Sequence, residues 1–170
     1  MPLDGTSYKD AHLTASRIAV EGLTNMGIMR GNPDDAVAAG AHALFFPHGL
    51  GHMLGLDVHD MEDLGEQYVG YDEPKSTQFG LKSLRLGKEL ESGFVVTVEP
   101  GIYIIPELID LWGKDKKYAE FLDYDKLNEY RDFGGIRIED NFLITQDGSQ
   151  LLGEPLAKEI SEIEGLRSQK

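Results

Sequence analysis

The beginning of the chain carries the hydrophobic period of α-helices. From Ser7 to about Met26, apolar residues recur every three or four positions, which predicts an amphipathic helix. A second, short helix is predicted to begin at Asn32 and to end near Gly40 or His42, because Asn is a good N-cap and the proline that follows it suits the first helical position. The apolar face of the first helix needs a core, and a sheet is its expected partner.

The second half of the chain carries the period of β-strands. The apolar run 94–98 predicts a buried strand, and 101–105 continues in extended form. From 135 to 145 apolar and polar residues alternate, so one strand is predicted with Arg137 and Glu139 on its polar face. A hairpin turn, a returning strand and a short closing helix are predicted at 146–149, 150–152 and 157–166. These elements predict an α+β fold, with a curved, mostly antiparallel sheet backed by helices.

Two segments lack a sustained period. The polar stretch 61–88 is interrupted by glycines and is predicted to be a long ordered loop, and loops of that length usually serve a site. Residues 107–133 are charged and aromatic, and we interpret them as an insertion that forms two short helices. The aromatic side chains of this segment could pack on the body of the domain, cover a site or form a subunit contact.

Composition and charge restrict the class of protein. With 170 residues, 41% of them hydrophobic, the chain is predicted to form one domain with its own core. The 30 acidic and 16 basic residues give a net charge of −14, which argues against binding to nucleic acid or to anionic membranes. The sequence has no apolar run of membrane-spanning length and no signal-peptide pattern, so a cytoplasmic location is expected.

The candidate chemistry begins in a glycine-rich segment that contains three of the five histidines, His48, His52 and His59. Its glycines let the backbone pass close to a bound ion or substrate. They also argue against a helix, so a strand that turns into a loop is predicted, with His48 and His52 on one face. His12 and His42 lie on the predicted helices and are interpreted as surface or packing residues.

Two carboxylates complete the candidate set. Glu99 ends the apolar run 94–98, and Glu139 lies in the alternating segment. Because the chain has no cysteine, any metal would be held by nitrogen and oxygen ligands, and one histidine with two glutamates suits Mn²⁺, Co²⁺, Zn²⁺ or Fe²⁺. Taken singly, each residue also has a structural explanation: His52 could be a hydrogen-bonded strand residue, and Arg137 with Glu139 could form an ion pair.

Three motifs, taken together and in order, resemble a known family. They are HGLGHMLGLDVHD at 48–60, VEPG at 98–101 and GIRIED at 135–140. The set resembles the catalytic half of the proline-directed metallopeptidases, aminopeptidase P and prolidase, which have the pita-bread fold. The resemblance covers nearly the whole chain, so it implies part of a pita-bread catalytic domain.

The resemblance implies a divalent metal site. Its ligands in this chain would be His52, Glu99 and Glu139, with Glu139 bridging two ions in the complete enzyme. Mn²⁺ is the expected metal, with Co²⁺, Zn²⁺ and Fe²⁺ as alternatives. Two ions close together would share a hydroxide, lower its pKa and polarise the scissile carbonyl.

The resemblance also implies catalytic side chains. His48 and His59 would contact the substrate and handle protons, and Arg137 would orient the substrate or a neighbouring histidine. Glu99 would be the general base as well as a ligand. Asp60 could hold His59 in place or be solvated, and the sequence leaves both open.

One departure from the family pattern shapes the expectations. The family's dinuclear site also uses two aspartates from an upstream hairpin, whereas only 47 residues, mostly helical in pattern, precede His48. The chain is therefore expected to be the C-terminal portion of such a domain, to bind metal weakly or not at all, and to be inactive by itself. Its uncovered sheet edge and apolar surface are expected to favour a homo-oligomer.

Two functions from different classes remain open. The first is metal-dependent hydrolysis of the Xaa-Pro bond, at the N-terminus of peptides or in dipeptides, with a proline-containing peptide as substrate. The second is a non-catalytic pita-bread module that binds peptides or proteins. The converging carboxylates favour the first, because a binding module has little physical need for them.

Overall fold

The structure is a computed structural model that describes residues 5–168. Its helices are α1 Tyr8–Asn25, α2 Pro33–Ala39, α3 Glu66–Val69, α4 Pro106–Lys114, α5 Tyr124–Asn128 and α6 Ile160–Arg167. Short 3-10 turns occupy Ala41–Leu44, Glu62–Leu64 and Leu81–Ser83. The strands are β1 Val95–Val98, β2 Gly101–Tyr103, β3 Gly135–Arg137, β4 Asp140–Thr145 and β5 Gly148–Leu152. The predicted α+β class is confirmed.

The first two helices form as the sequence predicts. α1 covers most of the predicted span 7–26 and packs against α2. The N-cap of α2 is Asn32, whose side-chain oxygen accepts hydrogen bonds from the backbone N–H groups of Asp34 and Asp35. α2 ends at Gly40, whose φ of 92° is a left-handed conformation that glycine adopts without strain.

The strands pair antiparallel in two small sheets. One sheet has the order β1-β4-β5, and the other pairs β2 with β3. Val98 lies opposite Asp140 at the end of the first sheet, and Gly101 lies opposite Arg137 in the second. The glutamates of the two motifs therefore lie where the chain passes from one sheet to the other.

The prediction of one continuous strand over 135–145 is wrong. Ile138 and Glu139 separate β3 from β4, and the two strands pair with different partners. Pro100 lies across from this break, in the link between β1 and β2, and proline has no N–H to contribute to the hydrogen bonds of a sheet. A single hydrogen bond from the Ile138 N–H to the Pro100 carbonyl, 3.2 Å long, spans the gap.

The apolar interior consists of two clusters of buried side chains. One lies among the C-terminal part of α1, α2, α4 and α5, and the other lies between the start of α1 and the β1-β4-β5 sheet. The segment 107–133 contributes Ile109, Trp112, Leu122 and Leu127 to the first cluster. Of the three roles left open for its aromatic residues, packing on the body of the domain is the one observed, while its origin as an insertion stays a prediction.

The segment 61–88 is a loop with short helical turns, as its composition predicts. Within residues 5–168 no helix combines the length and the apolar content needed to cross a bilayer.

Candidate active site

The histidine segment runs antiparallel along β1. The Glu99 N–H donates to the Leu50 carbonyl at 2.7 Å, the Thr97 N–H donates to the His52 carbonyl at 3.0 Å, and Met53 forms a β-bridge with Val96. The predicted extended segment is therefore present as a short bridge rather than a full strand, since glycines lie on both sides of Leu50. This pairing brings the side chain of His52 beside that of Glu99.

Gly51 is required for this close approach. A side chain at this position would collide with the Thr97 carbonyl oxygen and with the hydroxyl oxygen of Tyr8, which lies at the start of α1. Both obstacles are buried, so neither has room to move away. The glycine spacing seen in the sequence thus serves contact between protein segments at this point.

His52 and Glu99 form the buried half of the site. His52 is 5% exposed and Glu99 is 8% exposed, and the His52 Nε2 lies 3.2 Å from the Glu99 Oε1. The His52 Nδ1 lies 2.8 Å from the Met53 carbonyl, which only accepts, so Nδ1 carries a proton. Nε2 is then the ring nitrogen directed towards the Glu99 carboxylate and the one that could bind an ion.

This pair of atoms fits a divalent ion. Two donors at about 2.1 Å from one ion, separated by an angle of about 90–109°, lie about 3.0–3.4 Å from each other. The observed 3.2 Å between Nε2 and Oε1 falls within that interval. A histidine whose second nitrogen binds a backbone carbonyl is the usual form of a metal-ligating imidazole.

Arg137 and Glu139 form the exposed half of the site. Their side chains are 46% and 43% exposed. The Arg137 guanidinium lies 3.1 Å from the Glu99 Oε2 and 3.5 Å from the nearest oxygen of Glu139. It thus bridges the two carboxylates and separates Glu139 from His52.

The expected convergence of three ligands on one ion is wrong. Among residues 5–168, no group of three histidine, aspartate or glutamate side chains is close enough to hold a metal. The physical reason is the guanidinium of Arg137, which pairs with both carboxylates and takes the place between them. His52 and Glu99 come together, whereas the role of Glu139 as a ligand stays a prediction.

The two other histidines differ in burial. The His48 Nδ1 lies 2.7 Å from the Gly49 carbonyl, and its Nε2 is buried with no hydrogen-bond partner among residues 5–168. The rings of Phe46 and Tyr103 contact the His48 ring edge-on. His59 is exposed, and the centre of its ring lies 4.4 Å from that of His52.

Asp60 stabilises the turn that carries His59. Its carboxylate accepts a hydrogen bond from the Asp57 N–H at 3.3 Å and packs against Gly55. The Asp60 carboxylate is therefore not simply solvated, and a direct role in holding the His59 ring stays a prediction.

One cavity of about 470 Å³ collects all the predicted side chains. It is lined by His48, His52, His59, Glu99, Arg137 and Glu139, together with Ser83 and Arg85. Ser83 and Arg85 come from the loop 61–88, which confirms that this loop contributes to the cavity wall. Sequence reasoning missed them because no motif surrounds them.

His12 and His42 are packing residues rather than surface residues. His12 is fully buried, and the centre of its ring lies 5.2 Å from that of Phe46, which in turn contacts His48. Burial, followed by the nearby His42 and His48, lowers the pKa of His12 to about 4. Burial likewise lowers the pKa of His42 to about 4, against an opposing effect of the Val37 carbonyl.

The comparisons with known proteins agree with this arrangement. The model of metallopeptidase family M24 matches residues 3–146. The chain belongs to metallopeptidase family M24. Membership of this family implies divalent metal ions.

Similar proteins include both dipeptidases and aminopeptidases. The Xaa-Pro dipeptidase of Homo sapiens is 45% identical over 148 residues, which are 87% of this chain and 29% of that protein. The solved structure of proline aminopeptidase P II from Yersinia pestis is 34% identical with a TM-score of 0.68, and the match covers 100% of this chain and 31% of that one. Zn-substituted Escherichia coli aminopeptidase P in complex with product is 36% identical with a TM-score of 0.67, covering 99% of this chain and 30% of that one.

The coverage is as informative as the identity. This M24 chain spans about a third of the length of the relatives that it matches. The pita-bread assignment is confirmed by the solved aminopeptidase P structures, and the antiparallel sheets are those of this portion of the fold.

Proposed function

We propose that this chain is the portion of an M24 peptidase that supplies His52, Glu99 and Arg137 to a metal-dependent site that hydrolyses Xaa-Pro bonds. The observation that carries the proposal is the buried contact of 3.2 Å between the His52 Nε2 and the Glu99 Oε1, beside Arg137 in the cavity. The names of the relatives, Xaa-Pro dipeptidase and aminopeptidase P, supply the bond type.

The chain's own residues account for several steps of the chemistry. A divalent ion held by His52 and Glu99 would supply a water of lowered pKa and would polarise a carbonyl. The Glu99 carboxylate would serve as the general base there, and Arg137, which pairs with its second oxygen, limits the charge that accumulates on the carboxylates. The His48 Nδ1 faces the Gly49 carbonyl, so its unpaired Nε2 is available to accept a hydrogen bond from a substrate amine.

The walls around His48 suit a proline-containing peptide. The ring of Tyr103, which is partly buried, lies edge-on to the imidazole with the ring centres 5.4 Å apart and supplies apolar surface next to it. A compact apolar ring would suit that surface. Proline has that shape and no N–H to satisfy.

Three further properties belong to the same proposal. Mn²⁺ is the proposed metal, since one imidazole with carboxylates is a mixed nitrogen and oxygen set that this ion accepts. The proposed location is the cytoplasm. The proposed assembly is a homo-oligomer, because Ile18, Met26 and Ile136 are large apolar side chains exposed beside one groove.

A chimera tests the function. This chain replaces the matched region of human Xaa-Pro dipeptidase, and hydrolysis of an Xaa-Pro dipeptide, an Xaa-Pro tripeptide and their Xaa-Ala counterparts is measured with Mn²⁺. We expect cleavage after the first residue of the Xaa-Pro substrates, lost in the chimera carrying Glu99→Gln, and no hydrolysis by the 170-residue chain alone. A folded chimera that binds metal and the peptides but cleaves neither would favour the binding module.

A further inference from the structure

Three segments of the chain meet at Thr97, behind the buried half of the site. Tyr8 comes from α1, Gly51 and His52 come from the histidine segment, and Thr97 lies in β1. The Tyr8 hydroxyl donates a hydrogen bond of 2.5 Å to the Thr97 carbonyl. The absence of a side chain at Gly51 is what allows the three segments to come this close.

The Thr97 hydroxyl contacts both residues of the buried half, His52 through its backbone and Glu99 through its side chain. It accepts a hydrogen bond from the His52 backbone N–H at 3.0 Å and donates one to the Glu99 Oε1 at 2.9 Å. The directions are fixed, since an amide N–H can only donate and a carboxylate can only accept. The one hydroxyl proton is therefore committed to Glu99.

We propose that Thr97 is a positioning residue that sets the placement of the Glu99 carboxylate relative to the His52 imidazole. The Glu99 Oε1 that Thr97 contacts is the same atom that lies 3.2 Å from the His52 Nε2. The second oxygen, Oε2, contacts Arg137. Thr97 and Arg137 together fix both oxygens, and Thr97 does so from the buried side. The inference rests on the proposed function, in which this pair holds the metal.

Burial makes the hydroxyl more than a space-filling group. Thr97 is 2% exposed, so no solvent is at hand to replace its hydrogen bond to Glu99. A buried carboxylate oxygen without a donor rotates towards whatever donor remains, and here that is Arg137 on the exposed side. Loss of the hydroxyl is therefore expected to separate the carboxylate from His52.

Substitutions that differ by the hydroxyl alone test the proposal. Thr97→Val removes the hydroxyl and keeps the shape, whereas Thr97→Ser keeps the hydroxyl. Thr97→Ala compared with Thr97→Ser gives the same contrast if the valine variant does not fold. Thr24→Val is the matched control, because the Thr24 hydroxyl has no hydrogen-bond partner among residues 5–168.

The first measurement is a set of crystal structures of the metal-free chain and its variants. We expect the His52 Nε2 to Glu99 Oε1 distance to stay near 3.2 Å in wild type, Thr97→Ser and Thr24→Val. In Thr97→Val or Thr97→Ala we expect a longer distance, with the carboxylate turned towards Arg137. An unchanged distance in the variants without the hydroxyl would overturn the proposal.

The second measurement is calorimetric titration with Mn²⁺. We expect the Kd to rise about 10- to 100-fold in Thr97→Val, the range typical of losing a hydrogen-bond partner of a metal ligand, and to recover in Thr97→Ser. Equal Kd values for all variants would also overturn the positioning role. If wild type itself does not bind Mn²⁺, the metal part of the proposed function fails, and the crystallographic distances still decide the role of Thr97.

Discussion

The two halves of the cavity are built differently. His52 and Glu99 are buried and held by hydrogen bonds to the backbone and to a threonine hydroxyl, whereas Arg137 and Glu139 are nearly half exposed and held by ion pairs. Exposed ion pairs contribute only about 0–1 kcal/mol and leave their side chains free to move. The chain by itself therefore preorganises one half of the site and leaves the other half adjustable.

The strands next to the two halves of the site differ in the same way. β1 has its two central residues buried and pairs with β4, while all three residues of β3 are exposed. Side chains on a covered strand keep their rotamers through packing, and side chains on an exposed strand do not. The burial of the strands thus matches the burial of the site residues next to them.

Two single substitutions, one in each half, should differ most in their effect on Mn²⁺ affinity. Glu99→Gln removes the charge beside the His52 Nε2, and we expect Mn²⁺ affinity to fall by more than the roughly 10–100-fold typical of losing a ligand's partner. In the chimera we expect turnover to fall at least about 10²-fold. Glu139→Gln is the matched change in the exposed half and should weaken Mn²⁺ binding less. Calorimetric titration of both variants measures this, and equal losses would contradict the comparison.

Acid should weaken the packing behind the buried half. The pKa values of His12 and His42 fall from about 6.5 in the unfolded chain to about 4 in the folded protein, so protonation favours unfolding. The stability that depends on both histidines being neutral is fully present above pH 6.5 and is lost as the pH falls towards 4. The free energy of unfolding falls by up to about 3 kcal/mol for each residue. Urea unfolding midpoints measured across this range should fall steeply in wild type and less steeply in His12→Phe. Parallel curves would show that His12 is not responsible.

Two glycine substitutions compare the close contact of Gly51 with Thr97 and Tyr8 with an open position in α1. Gly51→Ala would push a methyl group into the Thr97 carbonyl and the Tyr8 hydroxyl, and we expect it to lower the free energy of unfolding by about 1–3 kcal/mol. Gly22→Ala meets no atom within contact distance in α1 and should raise it by about 0.5–1 kcal/mol. Chemical denaturation measures the change in the free energy of unfolding of both variants. An unchanged value in Gly51→Ala would show that Gly51, Thr97 and Tyr8 are not tightly packed.

The exposed half should tolerate substitution best. Arg137→Lys keeps the charge but loses the planar fork that contacts Glu99 and Glu139. We expect the free energy of unfolding to change by no more than about 1 kcal/mol, because the lysine keeps the positive charge and the Arg137 and Glu139 side chains are nearly half exposed. Thermal unfolding checks this, and a loss as large as that of Gly51→Ala would show that the exposed half is as rigid as the buried one.

Much of the fold and of the site follows from local sequence patterns. The helix period of α1, the cap at Asn32 and the three motifs each depend on neighbouring residues, and each is found where the sequence predicts it. Thr97 could be predicted in the same way, since it lies two residues before Glu99 in the same extended segment.

The remaining features depend on contacts between distant segments. The break at Ile138 and Glu139 lies opposite Pro100, in the link between β1 and β2, and Arg137 contacts carboxylates from both motifs. The burial of His12 and His42 depends on how α1 packs against the turn after α2. No periodicity within one segment carries that information.

Paramagnetic Mn²⁺ added to the chain with ¹⁵N-labelled histidine gives the most direct test of the central claim, that His52 and Glu99 form the preorganised metal-holding half. We expect the His52 Nε2 resonance to broaden first and the ring of His59, 4.4 Å away, to follow. The rings of His12 and His42, which do not line the cavity, should broaden last, because paramagnetic broadening falls with distance from the ion. In Glu99→Gln the broadening should require far more Mn²⁺. Broadening of His48 or His59 ahead of His52, or an unchanged titration in Glu99→Gln, would contradict the account.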